Sequence, residues 1–83
     1  GIIDISLPIS HAMPIWPGDP RPTLTPVTSL EADGVQVSQL VLGTHTGTHL
    51  DAPRHFIPGG RTIDQVDLDA LVGVCRVVEV RID

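Results

Sequence analysis

With 83 residues, eight glycines, eight prolines and one cysteine, the chain has room for a single domain (1–83) and no disulfide to staple it. A net charge of −5 and the complete absence of lysine argue against nucleic-acid binding, and no apolar run is long enough to span a membrane. So small a core predicts that the chain leans on something else, either a second subunit in a homo-oligomer or further chain.

Taken in order, Ile2 to Leu7 alternates, with Asp4 and Ser6 on one face and Ile3, Ile5 and Leu7 on the other, which predicts a half-buried strand. An acidic residue this early and no basic start predict no signal peptide. Pro8, Pro14, Pro17, Pro20 and Pro22 make residues 8–22 a long irregular loop, and Pro17-Gly18 reads as the centre of a type II turn. Trp16 at that turn is either an anchor holding the loop to the core or one wall of a flat pocket for an aromatic substrate. His11 reads as a surface residue.

Thr23 to Leu30 favours a strand, with an edge or a bulge at Pro26. Residues 31–34 read as a polar turn. Val35 to Leu42 is apolar on both faces in its second half, as an interior strand is. Further on, Pro58-Gly59-Gly60 predicts a turn, and Thr62 with Gln65 predicts a capping box opening a short helix. Asp67 caps a second helical turn that Gly73 stops. Val74 to Ile82 alternates most regularly and predicts a strand, with Cys75 as a packed small hydrophobe. One unpaired cysteine suits a reducing compartment, hence a cytoplasmic location.

Between these elements lie residues 43–56, Gly-Thr-His-Thr-Gly-Thr-His-Leu-Asp-Ala-Pro-Arg-His-Phe, which hold three of the four histidines. His45, His49 and Asp51 offer imidazole and carboxylate, the ligands that Zn2+ or Mn2+ accepts. On a straight strand His45 and His49 would stand about 13 Å apart, too far to share one ion. A helical turn would bring them to about 6 Å, but Gly47, two threonines and Pro53 resist a helix. The spacing therefore predicts a strand ending near Gly43 and a sharp turn at Gly47 that gathers His45, His49 and Asp51, with His55 facing them. His55 is the natural general acid/base, because imidazole as a class titrates near neutrality. No Ser sits in a GxSxG setting. The chemistry this points to is metal-assisted hydrolysis of an amide or a cyclic amide.

His45-Thr-Gly-Thr-His49-Leu-Asp51-Ala-Pro53-Arg-His55 resembles the HxGTHxDxPxH signature of the cyclase family of metal-dependent hydrolases, which includes bacterial kynurenine formamidase and isatin hydrolase. Ile3-Asp4-Ile5-Ser6-Leu7 and Trp16-Pro17-Gly18-Asp19 are also similar to the family's N-terminal segments. The resemblance implies His45, His49 and Asp51 as metal ligands and His55 as acid/base. Trp16 and Phe56, the two aromatic residues of the chain, are the expected substrate-binding residues. The resemblance implies N-formylkynurenine as a substrate, a step in tryptophan breakdown, and an oligomer. Four or five strands with one or two short helices, resting on the alternation of residues 35–42 and 74–82, predict a mixed, partly antiparallel α/β sheet; the resemblance implies that it is of the swivelling β/α type. Family members carry a further His and Glu in a C-terminal half that these 83 residues do not reach, so the chain is expected to be incomplete relative to the family. The alternative is a non-catalytic, truncated oligomeric remnant that keeps the motif without turnover.

Overall fold

The computed structural model describes residues 1–82. Two compact units are distinguished, Gly1–Leu50 and a second beginning at Asp51. The first is built on an antiparallel hairpin of β1 (Thr23–Thr28) and β2 (Val37–Val41). Cα partners run from Thr23 opposite Val41 to Pro26 opposite Ser38, then slip so that Thr28 faces Val37. The slip falls where the sequence requires it, because Pro26 has no N–H to offer a ladder and is tolerated only at an edge or a bulge.

The connection between the strands is a four-residue helix, α1 (Leu30–Asp33), where the sequence suggested only a polar turn. Its signals are local. The Ser29 hydroxyl accepts the Ala32 amide at 3.2 Å, and the Asp33 carboxylate accepts the Ser29 amide at 2.9 Å. Gly34 closes it at φ 75°, a left-handed conformation that Gly adopts without steric cost. Thr28 Oγ1 donates to the Val35 carbonyl at 2.8 Å and draws the chain back towards β2.

Two predicted strands are not formed. Residues 2–7 are irregular, and a local bond explains why: the Asp4 carboxylate accepts the Ser6 amide at 2.9 Å, diverting an N–H that a ladder would need. Residues 74–82 have the right alternation and no secondary structure. Alternation reports which side chains share a face, not whether a neighbouring strand is present to pair the backbone. Val74, Val77 and Val80 are accordingly exposed, and so is Cys75, which corrects its reading as a packed residue. β2 is likewise exposed along its length rather than interior. The fold is thus a small α/β arrangement of a two-stranded antiparallel sheet with short helical turns.

The proline loop is where burial concentrates. Met13 is the one buried hydrophobic residue among those described, and Pro22 is fully enclosed. Arg21 Nη1 donates to the carbonyls of His11 and Met13, and His11 Nδ1 donates to the Pro22 carbonyl at 2.9 Å. The predicted Pro17-Gly18 turn forms, with Gly18 at φ 94° and the Asp19 amide donating to the Trp16 carbonyl. Trp16 itself is 76 % exposed, so it does not anchor this loop. Burying one Met contributes about 2 kcal/mol, whereas ordering each residue's backbone costs roughly 1 kcal/mol or more. Side-chain burial of this extent does not offset the ordering of 50 residues.

The second unit is a series of 3-10 turns, Pro53–His55, Ile63–Gln65 and Leu68–Ala70. The capping partners read from the sequence are in place. The Thr62 amide donates to Gln65 Oε1 at 3.1 Å, and Asp67 accepts the Asp69 amide at 3.1 Å. Gly60 packs hard beneath the first turn: a Cβ there would meet the Ile57 oxygen and the Pro53 carbonyl carbon at 2.9 Å, and the Arg54 nitrogen at 3.0 Å. These are backbone atoms that cannot swing aside. Gly60→Ala is therefore expected to destabilise the turn by about 1–3 kcal/mol, as overpacking generally does. Hydrogen exchange at the Arg54 amide, which donates to the Arg61 carbonyl, reads this directly. Unchanged protection would mean that the turn is looser than described.

Candidate metal centre

β2 ends at Val41, and the chain then makes two turns in quick succession. The Thr46 amide donates to the Gly43 carbonyl at 3.3 Å, and Gly47 takes φ 65°. An L-residue at Gly47 would be strained by that angle, and its Cβ would also stand 3.1 Å from Met13 Cε. The turn predicted at Gly47 is present, and a glycine is needed there on both counts.

This turn reverses the chain enough to bring His45 and His49 together. Their rings meet edge to face with centroids 5.0 Å apart, and His45 Nδ1 lies 3.0 Å from His49 Nε2. The 13 Å of an extended strand has been removed by one turn. Asp51, two residues on, joins them: one ligand atom from each of His45, His49 and Asp51 lies within 4.8 Å of the other two. His45 is half-buried, while His49 and Asp51 are exposed.

The arrangement can be tested against the metal it suggests. Two nitrogens each about 2.1 Å from one zinc stand roughly 3.0–3.4 Å apart for angles between octahedral and tetrahedral. The His45–His49 separation of 3.0 Å falls at the short end of that range. The His49 ring is also oriented as a ligand should be. Its Nδ1 lies 2.7 Å from the Gly47 carbonyl oxygen. A carbonyl only accepts, so the proton is on Nδ1 and the lone pair on Nε2, the atom facing His45. Fixing the tautomer through the second ring nitrogen is the usual way in which a ligating histidine is held. The residues fit a divalent ion.

His55 ends the Pro53–His55 turn, where the His55 amide donates to the Ala52 carbonyl at 3.0 Å. Its ring packs edge-on to that of Phe56, with centroids 4.2 Å apart. Phe56 is 81 % exposed. A groove of about 170 Å³ in the first unit is lined by Ile9, His11, Pro22, Leu24 and Leu40, and Trp16 is not part of it. Two contributors went unnoticed in the sequence, the Gly47 carbonyl that holds the His49 ring and the Thr48 hydroxyl that accepts the Leu7 amide at 3.0 Å. The first depends on the turn conformation and the second joins residues 41 positions apart, so no local pattern announces either.

No helix among the described residues is long and apolar enough to cross a membrane. Residues 3–83 match the family model described as Putative cyclase. That match runs over nearly the whole sequence and includes the His45–Asp51 cluster, and on it the chain belongs to the Cyclase family.

Proposed function

We propose that the chain serves metal-dependent hydrolysis of an amide bond, of the arylformamidase kind, with N-formylkynurenine as the substrate and kynurenine and formate as products. The observation that carries this reading is the convergence of His45, His49 and Asp51 in a Cyclase-family chain. Zn2+ or Mn2+ suits a donor set of two imidazoles and one carboxylate. When bound with an open position, such an ion makes water acidic enough to supply hydroxide at neutral pH and polarises the carbonyl under attack.

The chain's own residues would do the rest. His45 and His49 bind through ring nitrogens, Asp51 through a carboxylate oxygen. His55 takes the proton of the attacking water on a ring nitrogen and returns it to the departing amine nitrogen. Trp16 and Phe56, both largely exposed, offer flat apolar faces to an aryl substrate. The test is formate release from N-formylkynurenine by the chain loaded with zinc or manganese, compared with the same chain after chelation. Release only in the loaded sample is the expected result, and equal rates in both would refute metal dependence.

Exposure of His49 and Asp51 favours a second reading. Metal-site electrostatics are strongest where water is excluded, and an open site suits a non-catalytic remnant that keeps the motif without turnover. Metal bound without any formate release would select that reading.

The fold proposed is the mixed swivelling β/α sheet, in which residues 2–7 and 74–82 become strands once paired. Exposure of Ile3 (84 %), Ile5 (83 %) and Val77 (93 %) supports assembly with further copies of the chain. Sedimentation at micromolar concentration should therefore give a dimer or larger species, and a well-folded monomer would contradict it. A cytoplasmic setting is proposed on the exposed free thiol of Cys75, which a reducing compartment preserves.

A further inference from the structure

The turn that carries His49 is held from below and from the side by the first residues of the chain. Met13 Cε and Ile9 Cγ1 lie under Gly47, where a Cβ would come within 3.1 and 4.0 Å of them. Pro20 lies as closely against Gly43, at 3.1 Å. These contacts are apolar and define no direction. A directional tether also joins the two segments: the Leu7 amide donates to Thr48 Oγ1 at 3.0 Å. Thr48 stands between Gly47, whose carbonyl fixes the His49 ring, and His49 itself.

We infer that the Thr48 hydroxyl, by accepting the Leu7 amide, is a positioning group for metal binding that fixes the direction in which His49 presents Nε2. The inference rests on the proposed reading of His45, His49 and Asp51 as a metal centre. Glycine at 47 leaves the backbone before His49 with more rotational freedom than any other residue would. A hydrogen bond one residue on removes much of that freedom at the position where it matters. Both Leu7 and Thr48 are exposed, so the bond adds little to stability. What it changes is the fraction of time His49 spends aimed at its partners, and affinity falls in proportion to that fraction.

The experiment is a zinc titration of the full chain, in competition with a chromophoric chelator, for four variants. Thr48→Val removes the acceptor and keeps the shape; Thr48→Ser restores it. Leu7→Pro removes the donor from the other side and leaves Thr48 intact. The double variant closes the cycle. Loss of one hydrogen bond predicts about five- to tenfold weaker zinc binding for Thr48→Val and for Leu7→Pro. Thr48→Ser should stay within about twofold of the parent, and the double variant should be no weaker than either single one. Circular dichroism should be unchanged throughout. If Thr48→Val fails to fold, Leu7→Pro decides alone. Affinity within about twofold of the parent in that variant, an additive double variant, or failure of Ser to rescue would overturn the inference while leaving the metal centre intact. If the parent chain binds no zinc, the metal reading fails and this inference fails with it.

Discussion

Replacing His49 by Ala is expected to abolish stoichiometric metal binding. His49 supplies Nε2 to the cluster, and its ring is the one whose tautomer the Gly47 carbonyl fixes. Without it two candidate ligands remain, His45 and Asp51, and two rarely hold a transition-metal ion against solvent. Losing a partner that merely orients a ligand costs about 10- to 100-fold in affinity, so losing the ligand itself should exceed 100-fold or so. Elemental analysis after dialysis reads the outcome. One equivalent of metal retained by His49→Ala would mean that the ion sits elsewhere. Because His49 is exposed, the substitution leaves no cavity, and a lost ion could not be blamed on a collapsed core.

Replacing His55 by Ala is expected to have the opposite signature. Metal should remain at one equivalent while hydrolysis of an N-formyl aromatic amine falls by about 100-fold or more, the usual contribution of a positioned acid/base group. The two substitutions together separate a ligand from a proton carrier, which loss of activity alone cannot do. Loss of metal in His55→Ala would recast His55 as a ligand. Full activity with metal bound would remove it from the mechanism.

How legible this was in the sequence depends on the range over which each feature is decided. The cluster was legible because its members lie within seven residues, and one glycine between two histidines is enough to close the distance. The irregularity at Pro26, the Pro17-Gly18 turn and the Gln65 and Asp67 caps are equally local, and each formed as read; the two strands formed where expected, but β2 is exposed rather than interior. Helix α1 escaped because Ser29 is capped by Asp33 rather than by a Glu or Gln three residues on, so the usual signature is absent. The segments 2–7 and 74–82 misled for a different reason. Their alternation is genuine, but a strand is a property of two segments, and no partner for either lies among the described residues. Ile3 and Val77 alternate as strand residues do and remain exposed.

The Thr48–Leu7 bond marks the limit of such reading, since it links the first residues to the turn that carries His45 and His49 across 41 positions. It also gives the proline-rich segment a purpose that composition could not. Residues 7–20 form the bed on which the 43–49 turn lies, through Met13, Ile9 and Pro20 against the two glycines.

The central claim is that one divalent ion is held by His45, His49 and Asp51. It is tested most directly by elemental analysis of the purified chain after equilibration with excess zinc or manganese and removal of unbound ion, alongside its native mass. The account predicts one equivalent of metal per chain in the assembled species. No retained metal with either ion would contradict it.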